Sequence, residues 1–187
     1  MDLKNWQKGL DHYINNAIYL RDDGEILMEK GSLGHAYFFF YTALEELGVA
    51  SFILENYHDP NPRELNRLLK SIGSHKRKSK LIIFNSFAEK IKDLDLPSNH
   101  LKEVFRTGES IEDFYARKLD KKLKIWEKRN RGIYVSLSKD TKKWFIPQDI
   151  ILDDLKLIHE AVNTHIQNFK NAIVNMERLR KILKSQN

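Results

Sequence analysis

Apolar residues recur along this chain with the period of helices. Between Leu3 and Glu29 they fall at Leu10, Tyr13, Ile14, Ala17, Ile18, Ile26 and Leu27, the spacing of one helical face, and the run ends near Gly31. Ser32 suits the cap of a second helix that reaches about His58 and is apolar nearly all round, the mark of a central helix. The segment "DPNPRE" breaks the chain, with Pro62 fitted to a first helical turn. A short helix over Glu64–Ile72, one over His75–Leu94 and a brief one from Ser98 to about Arg106 follow. Ser110 caps a helix from Ile111 to about Arg131. The pattern changes at Gly132: "GIYVSL", "SKDTK" and "KWFI" read as strand, turn and strand, a small β-hairpin over residues 133–146 closed by Pro147. A long helix from about Asp149 to Leu183 ends the chain, its stripe running through Ile150, Leu155, Ile158, Val162, Ile166, Phe169, Ile173, Met176 and Leu179. The expected fold is all-α: residues 1–187 as a single helical bundle with a hairpin before the last helix.

Composition agrees with helix, at 41% apolar and 31% charged residues with only eight Gly and four Pro. With no cysteine, disulfides, thiolate zinc sites and cysteine nucleophiles are excluded. The polar start "MDLKNWQKGLDHY" lacks the apolar core of a signal peptide. The longest apolar window, Leu33 to Leu54, is interrupted by Glu45 and Glu46, so no membrane span is expected and a soluble, cytoplasmic protein is. The net charge of +6 is clustered. Arg67–Lys80 holds six cations and no acid, and Arg117–Arg131 holds eight against Asp120 and Glu127, each either a phosphate footprint or a solvated helix face.

Charge changes the picture most inside the second helix. At 100° per residue His35, Thr42 and Glu46 share one polar stripe, while Glu45 lies about 100° away beside Tyr41 and Phe38. Acids in so apolar a helix need partners: they bind basic side chains or backbone amides, or one of them orients a catalytic cation. Glu46 is the expected orienting acid and Glu45 the structural one. In "KSIGSHKRKSK", His75 stands among cations at a helix start, which favours neutral imidazole, a general base or simply a cap. Arg129 and Arg131, with Tyr134 after them, suit RNA by backbone pairing and base stacking, or else a salt-bridged helix end with the tyrosine packed inside. The phosphate loop GxxxxGK[ST], GxGxxG and HExxH are all absent. "ENYH" has the Glu-x-x-His spacing of di-iron bundles without the second copy those need, and His159 and His165 fall on poorly matched faces, so no metal or cofactor is expected.

Several segments in order, "NWQKGLDHYINNAIYL", "AYFFFYTALEELGVASFIL", "SHKRKSK" and "RGIYVSL" followed by Trp144 and Pro147, resemble the AbiV abortive-infection family of bacterial phage-defence proteins. That family's acidic motif continues as EELGK, where this chain has Val49. The family is similar to the HEPN class of helical proteins, many of them metal-independent RNases acting as dimers. Their shared motif is an arginine followed, after four to six residues, by a histidine. Its nearest counterpart here is Lys70 with His75, a lysine in the arginine's place and without its bidentate fork. The resemblance implies an antiphage effector that targets RNA and blocks translation. In it His75 is general base, Lys70, Arg77 and Lys78 hold phosphate, and Glu46 orients the cation. A homodimer and a phage-encoded activator or target protein are the implied partners. The alternatives are a non-enzymatic helical dimer that binds a phage or host protein, and a stand-alone nucleic-acid-binding module.

Overall fold

The computed structural model describes residues 3–55, 110–134, 136–137 and 144–185, together with positions 83, 86, 87, 90, 94 and 104. The helices expected over Glu64–Ile72, His75–Leu94 and Ser98–Arg106 fall largely or wholly outside the described residues. The first two helices, α1 (Leu3–Glu29) and α2 (Leu33–Glu55), pack along each other as a hairpin. Their turn is three residues long because it satisfies both helix ends at once. Gly31 takes a left-handed φ of 73° that a side chain would resist. Its amide reaches the Met28 carbonyl at 3.0 Å while Ser32 N reaches the Leu27 carbonyl at 2.8 Å, the paired bonds of a Schellman end. The same Ser32 then starts α2. Its carbonyl accepts from Ala36 N, and its hydroxyl lies 2.9 Å from His35 Nδ1.

Helix α2 is the centre of the molecule. Ala36, Tyr37, Phe40, Tyr41, Ala43, Leu44, Leu47, Val49, Ala50 and Ile53 are all buried on it. By length and composition Leu33–Leu54 is apolar enough to cross a membrane; in this fold it is the core helix, packed by the other elements. Close approach to α1 depends on Gly24, where a Cβ would sit 2.6 Å from the Phe40 ring. Val49 is 2% exposed within this core, so the residue standing at the lysine position of "EELGK" brings packing and no charge.

The expected Ile111–Arg131 helix is two helices, α3 (Ile111–Leu123) and α4 (Ile125–Arg131), bent where Lys124 adopts a left-handed φ of 53°. Ser110 caps α3 as its sequence suggests, accepting from Asp113 N at 3.0 Å. Helix α5 (Leu152–Ser185) buries Leu155, Ile158, Val162, Ile166 and Phe169, packing against α2, with Ile150 just ahead of it, the first six positions of the stripe read from the sequence. It begins later than Asp149, because Pro147–Asp149 form a single 3-10 turn first.

The β-hairpin over residues 133–146 is not seen, and the fold is corrected to a helical one. Between the helices the described residues hold only two facing dipeptides, with Ser136 opposite Phe145 and Leu137 opposite Trp144. The reason lies in where the backbone donors go. Tyr134 N bonds back to the Asn130 carbonyl at 3.2 Å, prolonging the end of α4 instead of starting a strand. Ile146 N is taken at 2.9 Å by the side chain of Asp149, which starts the 3-10 turn. Neither of these amides is then free to donate to a ladder.

What fixes this segment against the core is a contact between two glycines. A Cβ on Gly34 would lie 2.8 Å from the Gly132 carbonyl oxygen and 2.5 Å from that of Pro147; one on Gly132 would lie 2.4 Å from the Gly34 oxygen. These neighbours are backbone and cannot swing aside. Gly34→Ala and Gly132→Ala should each lower unfolding stability by about 1–3 kcal/mol, the usual range for overpacking. The double variant should lose less than the sum, since both open the same gap. Gly9→Ala, with open space around its Cβ, should leave stability unchanged or raise it by about 0.5–1 kcal/mol in urea unfolding.

Candidate nucleic-acid interface

The basic segment Arg117–Arg131 is shaped by the bend at Lys124. Lys124 N closes α3 on the Asp120 carbonyl at 2.6 Å, and the Asp120 side chain accepts from Trp126 N at 2.9 Å to open α4. Burial pushes the Asp120 carboxyl above its ordinary range, and the bond from the Trp126 amide works against that rise. Trp126, so anchored, meets Tyr41 edge-on with ring centroids 6.1 Å apart. Arg129 then enters between three rings, its guanidinium carbon 4.9 Å from the Phe38 centroid, 5.1 Å from Trp126 and 5.8 Å from Tyr41. Its terminal amine donates to Asn130 at 3.1 Å, and its buried Nε makes no hydrogen bond.

The other cations of α4 also point into the fold. Lys128 pairs with Asp154 near the start of α5 at 2.6 Å, and Arg131 pairs with Glu127 one turn back. On α3 and at the bend Arg117, Lys121, Lys122 and Lys124 are exposed, while half-buried Lys118 lies, like the Arg117 guanidinium, over the Phe114 ring. Arg117 and Lys121 are four residues apart, on one face. Tyr134 is 62% exposed just beyond α4. Of the residues read as RNA ligands, Tyr134 is therefore at the surface, Arg129 is enclosed by rings and Arg131 is ion-paired.

The two acids of α2 diverge as their spacing requires. Glu45 is 1% exposed, one turn from Tyr41, whereas Glu46 is half-buried and accepts from Asn16 of α1 at 3.2 Å; both engage further groups as well. The rest of the expected polar stripe is local. Thr42 donates to the Phe38 carbonyl at 2.8 Å, and exposed His35 meets Ser32. His75, Lys70, Arg77 and Lys78 lie outside the described residues.

A further polar cluster, not found by reading the sequence, stands where α1 meets α5. His159 Nε2 lies 2.7 Å from Glu25 Oε1 and 3.0 Å from Asn163 Nδ2. Arg21 donates to Asp22 through Nε at 2.8 Å and reaches Asn163 Oδ1 through its other terminal amine at 3.4 Å. Phe40 backs the imidazole, with ring centroids 4.8 Å apart. The available signal was a pair of i,i+4 polar couples, Arg21 with Glu25 and His159 with Asn163, each breaking into an otherwise apolar stripe. Further along α5, burial lowers the His165 pKa, and its Nε2 lies 2.9 Å from the Ser86 hydroxyl. Among the described residues no three acidic or histidine side chains gather as metal ligands.

A helical bundle whose polar sites are assembled where helices meet defines a class compatible with HEPN-like proteins. Residues 5–168 match the HEPN_AbiV family model, described as AbiV. The chain belongs to the AbiV family, and with it to the HEPN-like proteins of abortive infection, a form of phage defence. No curated protein and no solved structure matches it.

The enclosure of Arg129 predicts that Arg129→Ala costs about 1–3 kcal/mol, from desolvated cation–π contacts and lost packing, and that Arg129→Lys restores only part of it for want of a planar face. Asp120 predicts a pH dependence. Because its folded pKa is raised, the folded state holds the proton longer, so stability falls as pH rises through the carboxylate range up to that raised value and is level above it. Asp120→Asn, whose amide oxygen still accepts from Trp126 N, should therefore be more stable than the parent at pH 7. The gap should close as urea unfolding is repeated toward pH 4.

Proposed function

We propose that this AbiV protein acts in phage defence by engaging RNA and cutting it without a metal ion, which halts translation. The observation that carries the RNA reading is the sorting of cations in Arg117–Arg131. Those of α4 are engaged within the fold by rings and acids, whereas Arg117, Lys121, Lys122 and Lys124 are exposed, Arg117 with its guanidinium also over the Phe114 ring. Outward cations track a phosphate backbone, and the exposed Tyr134 offers a face on which a base stacks. Cleavage through the RNA's own 2′-hydroxyl needs a base and a cation, for which the sequence offers His75 with Lys70, Arg77 and Lys78, and Glu46 as the orienting acid. A homodimer, as in the wider HEPN class, is part of the proposal.

A second reading, a non-enzymatic dimer that binds a phage or host protein, is favoured by the adjacent exposed residues Ile151 and Leu152 and by Tyr19 and Ile26 on α1. The readings separate on purified protein incubated with total RNA in EDTA, with and without a phage-derived activator. Cleavage is expected, and RNA left intact under both conditions overturns the enzymatic proposal. Arg117→Glu with Lys121→Glu should weaken RNA binding at least tenfold and flatten its dependence on salt. Unchanged binding would remove α3 from the interface.

A further inference from the structure

We infer that the outer face of α5 from Thr164 to Lys181 is a docking surface for the phosphate backbone of RNA, with Lys170, Arg178 and Lys181 as its cations. This deepens the RNA-directed reading and rests on it. Most of the face lies beyond residues 5–168, the part that the AbiV family model matches, and it is on a different helix from the cations of α3.

Helix α5 continues as one helix to Ser185, about 25 Å past residue 168 at 1.5 Å per residue. Steps of three and four residues trace its outer face. Asp153, Lys156 and Glu160 open it, and Thr164, Gln167, Lys170, Asn171 and Val174 follow, all of them exposed. The same steps place Arg178 and Lys181 on that face. Its chemistry changes along the way. Lys156 stands three residues after Asp153 and four before Glu160, so its charge is answered on the helix itself. From Thr164 to Lys181 the steps meet no acid. The positions one turn from Lys170 are Ile166, Gln167, Ile173 and Val174, and those one turn from Arg178 are Val174, Asn175, Lys181 and Ile182. Residues 170–187 hold five cations against Glu177 alone, which lies one turn before Lys181 and leaves this end of the helix with a net positive charge.

A row of cations with no acid between them complements a polyanion, since each phosphate they neutralise releases a counterion. Lys170 and Arg178 are about 12 Å apart along the helix axis, so one strand of a few nucleotides touches both. Thr164, Gln167 and Asn171 add the hydroxyl and amide groups that hydrogen-bond phosphate and sugar. Gln167 Nε2 donates to Asn171 Oδ1 at 3.1 Å, which holds the two amides together. The apolar content of the face disfavours other occupants. Val174 is its one large apolar residue between Thr164 and Lys181, whereas a lipid surface or a second copy of the chain needs an apolar strip to bury. The other apolar positions here, Ile173, Met176 and Leu179, continue the stripe that runs from Leu155 to Phe169, and Ile173 packs against the core.

The test measures the affinity of the full chain for a labelled single-stranded oligouridine across a range of salt. Lys170→Gln with Arg178→Gln should weaken binding about tenfold and lower the slope of log K against log salt by about 1.4, two contacts at roughly 0.7 each on a single strand. Lys156→Gln should bind as the parent does. Lys170→Arg with Arg178→Lys keeps both charges and should also bind as the parent, which separates lost charge from a disturbed helix. Parent-like affinity and slope in the glutamine pair overturn the α5 face; if Arg117→Glu with Lys121→Glu still weakens binding, the RNA reading stands. Should the glutamine pair keep RNA binding but lose capture by phosphatidylserine vesicles, or pass from dimer to monomer, the face belongs to a lipid surface or a second copy and the inference is equally overturned. If the parent retains no RNA, both readings fall.

Discussion

Nearly everything in the described part of this fold depends on α2 being apolar almost all round. A helix apolar around its circumference gains its stability only if neighbours cover every face, and each cover sets its own local rule. Against α1 the rule is smallness at Gly24, so that Phe40 lies flat. Against the segment after α4 it is backbone on backbone, at Gly34 and Gly132. Against α4 it is aromatic, with Phe38 and Tyr41 receiving Arg129. The polar residues of the neighbours are then forced to the seams between helices, which is where Arg21 and Glu25 of α1 meet His159 and Asn163 of α5. Position of the polar groups is thus a by-product of covering one apolar helix.

That dependence explains which features were legible in the sequence. Period and caps fixed on the first two helices, on Ser110 and on the stripe from Ile150 to Phe169, because these are local rules obeyed residue by residue. The bend at Lys124 was not legible, since nothing in "KKLKIWEK" breaks a helix by propensity. The left-handed residue is held there by Asp120 and by the packing of Trp126 on α2. The hairpin failed for a related reason: β-branched and aromatic residues supplied the pattern of strands, but the amides of Tyr134 and Ile146 were spent on neighbouring turns.

The candidate sites divide the same way. Spacing was enough to send Glu45 and Glu46 to different surroundings, one buried and one half-buried against Asn16. It was not enough to tell an arginine that reads RNA from one that fills a ring cage, because Arg129 and an outward cation such as Lys121 belong to one basic run. Nor can spacing join His159 to Glu25, which are 134 positions apart. Along the sequence the near neighbour of His159, His165, falls on a poorly matched face of the same helix. Family membership through residues 5–168 supplies the biological setting, phage defence, and the seams of the bundle supply the chemistry to examine within it.

The cage around Arg129 also separates two kinds of charge in their response to the medium. Mobile ions screen the outward cations of α3 within a distance of about 8–10 Å at cellular ionic strength. They act less on the guanidinium of Arg129, which packs among the rings of Phe38, Tyr41 and Trp126. Rising salt therefore weakens the field of the α3 cations while the ring contacts of Arg129 persist. One short basic segment thus holds both a salt-screened surface and a ring-packed arginine, which answer differently to the ionic medium.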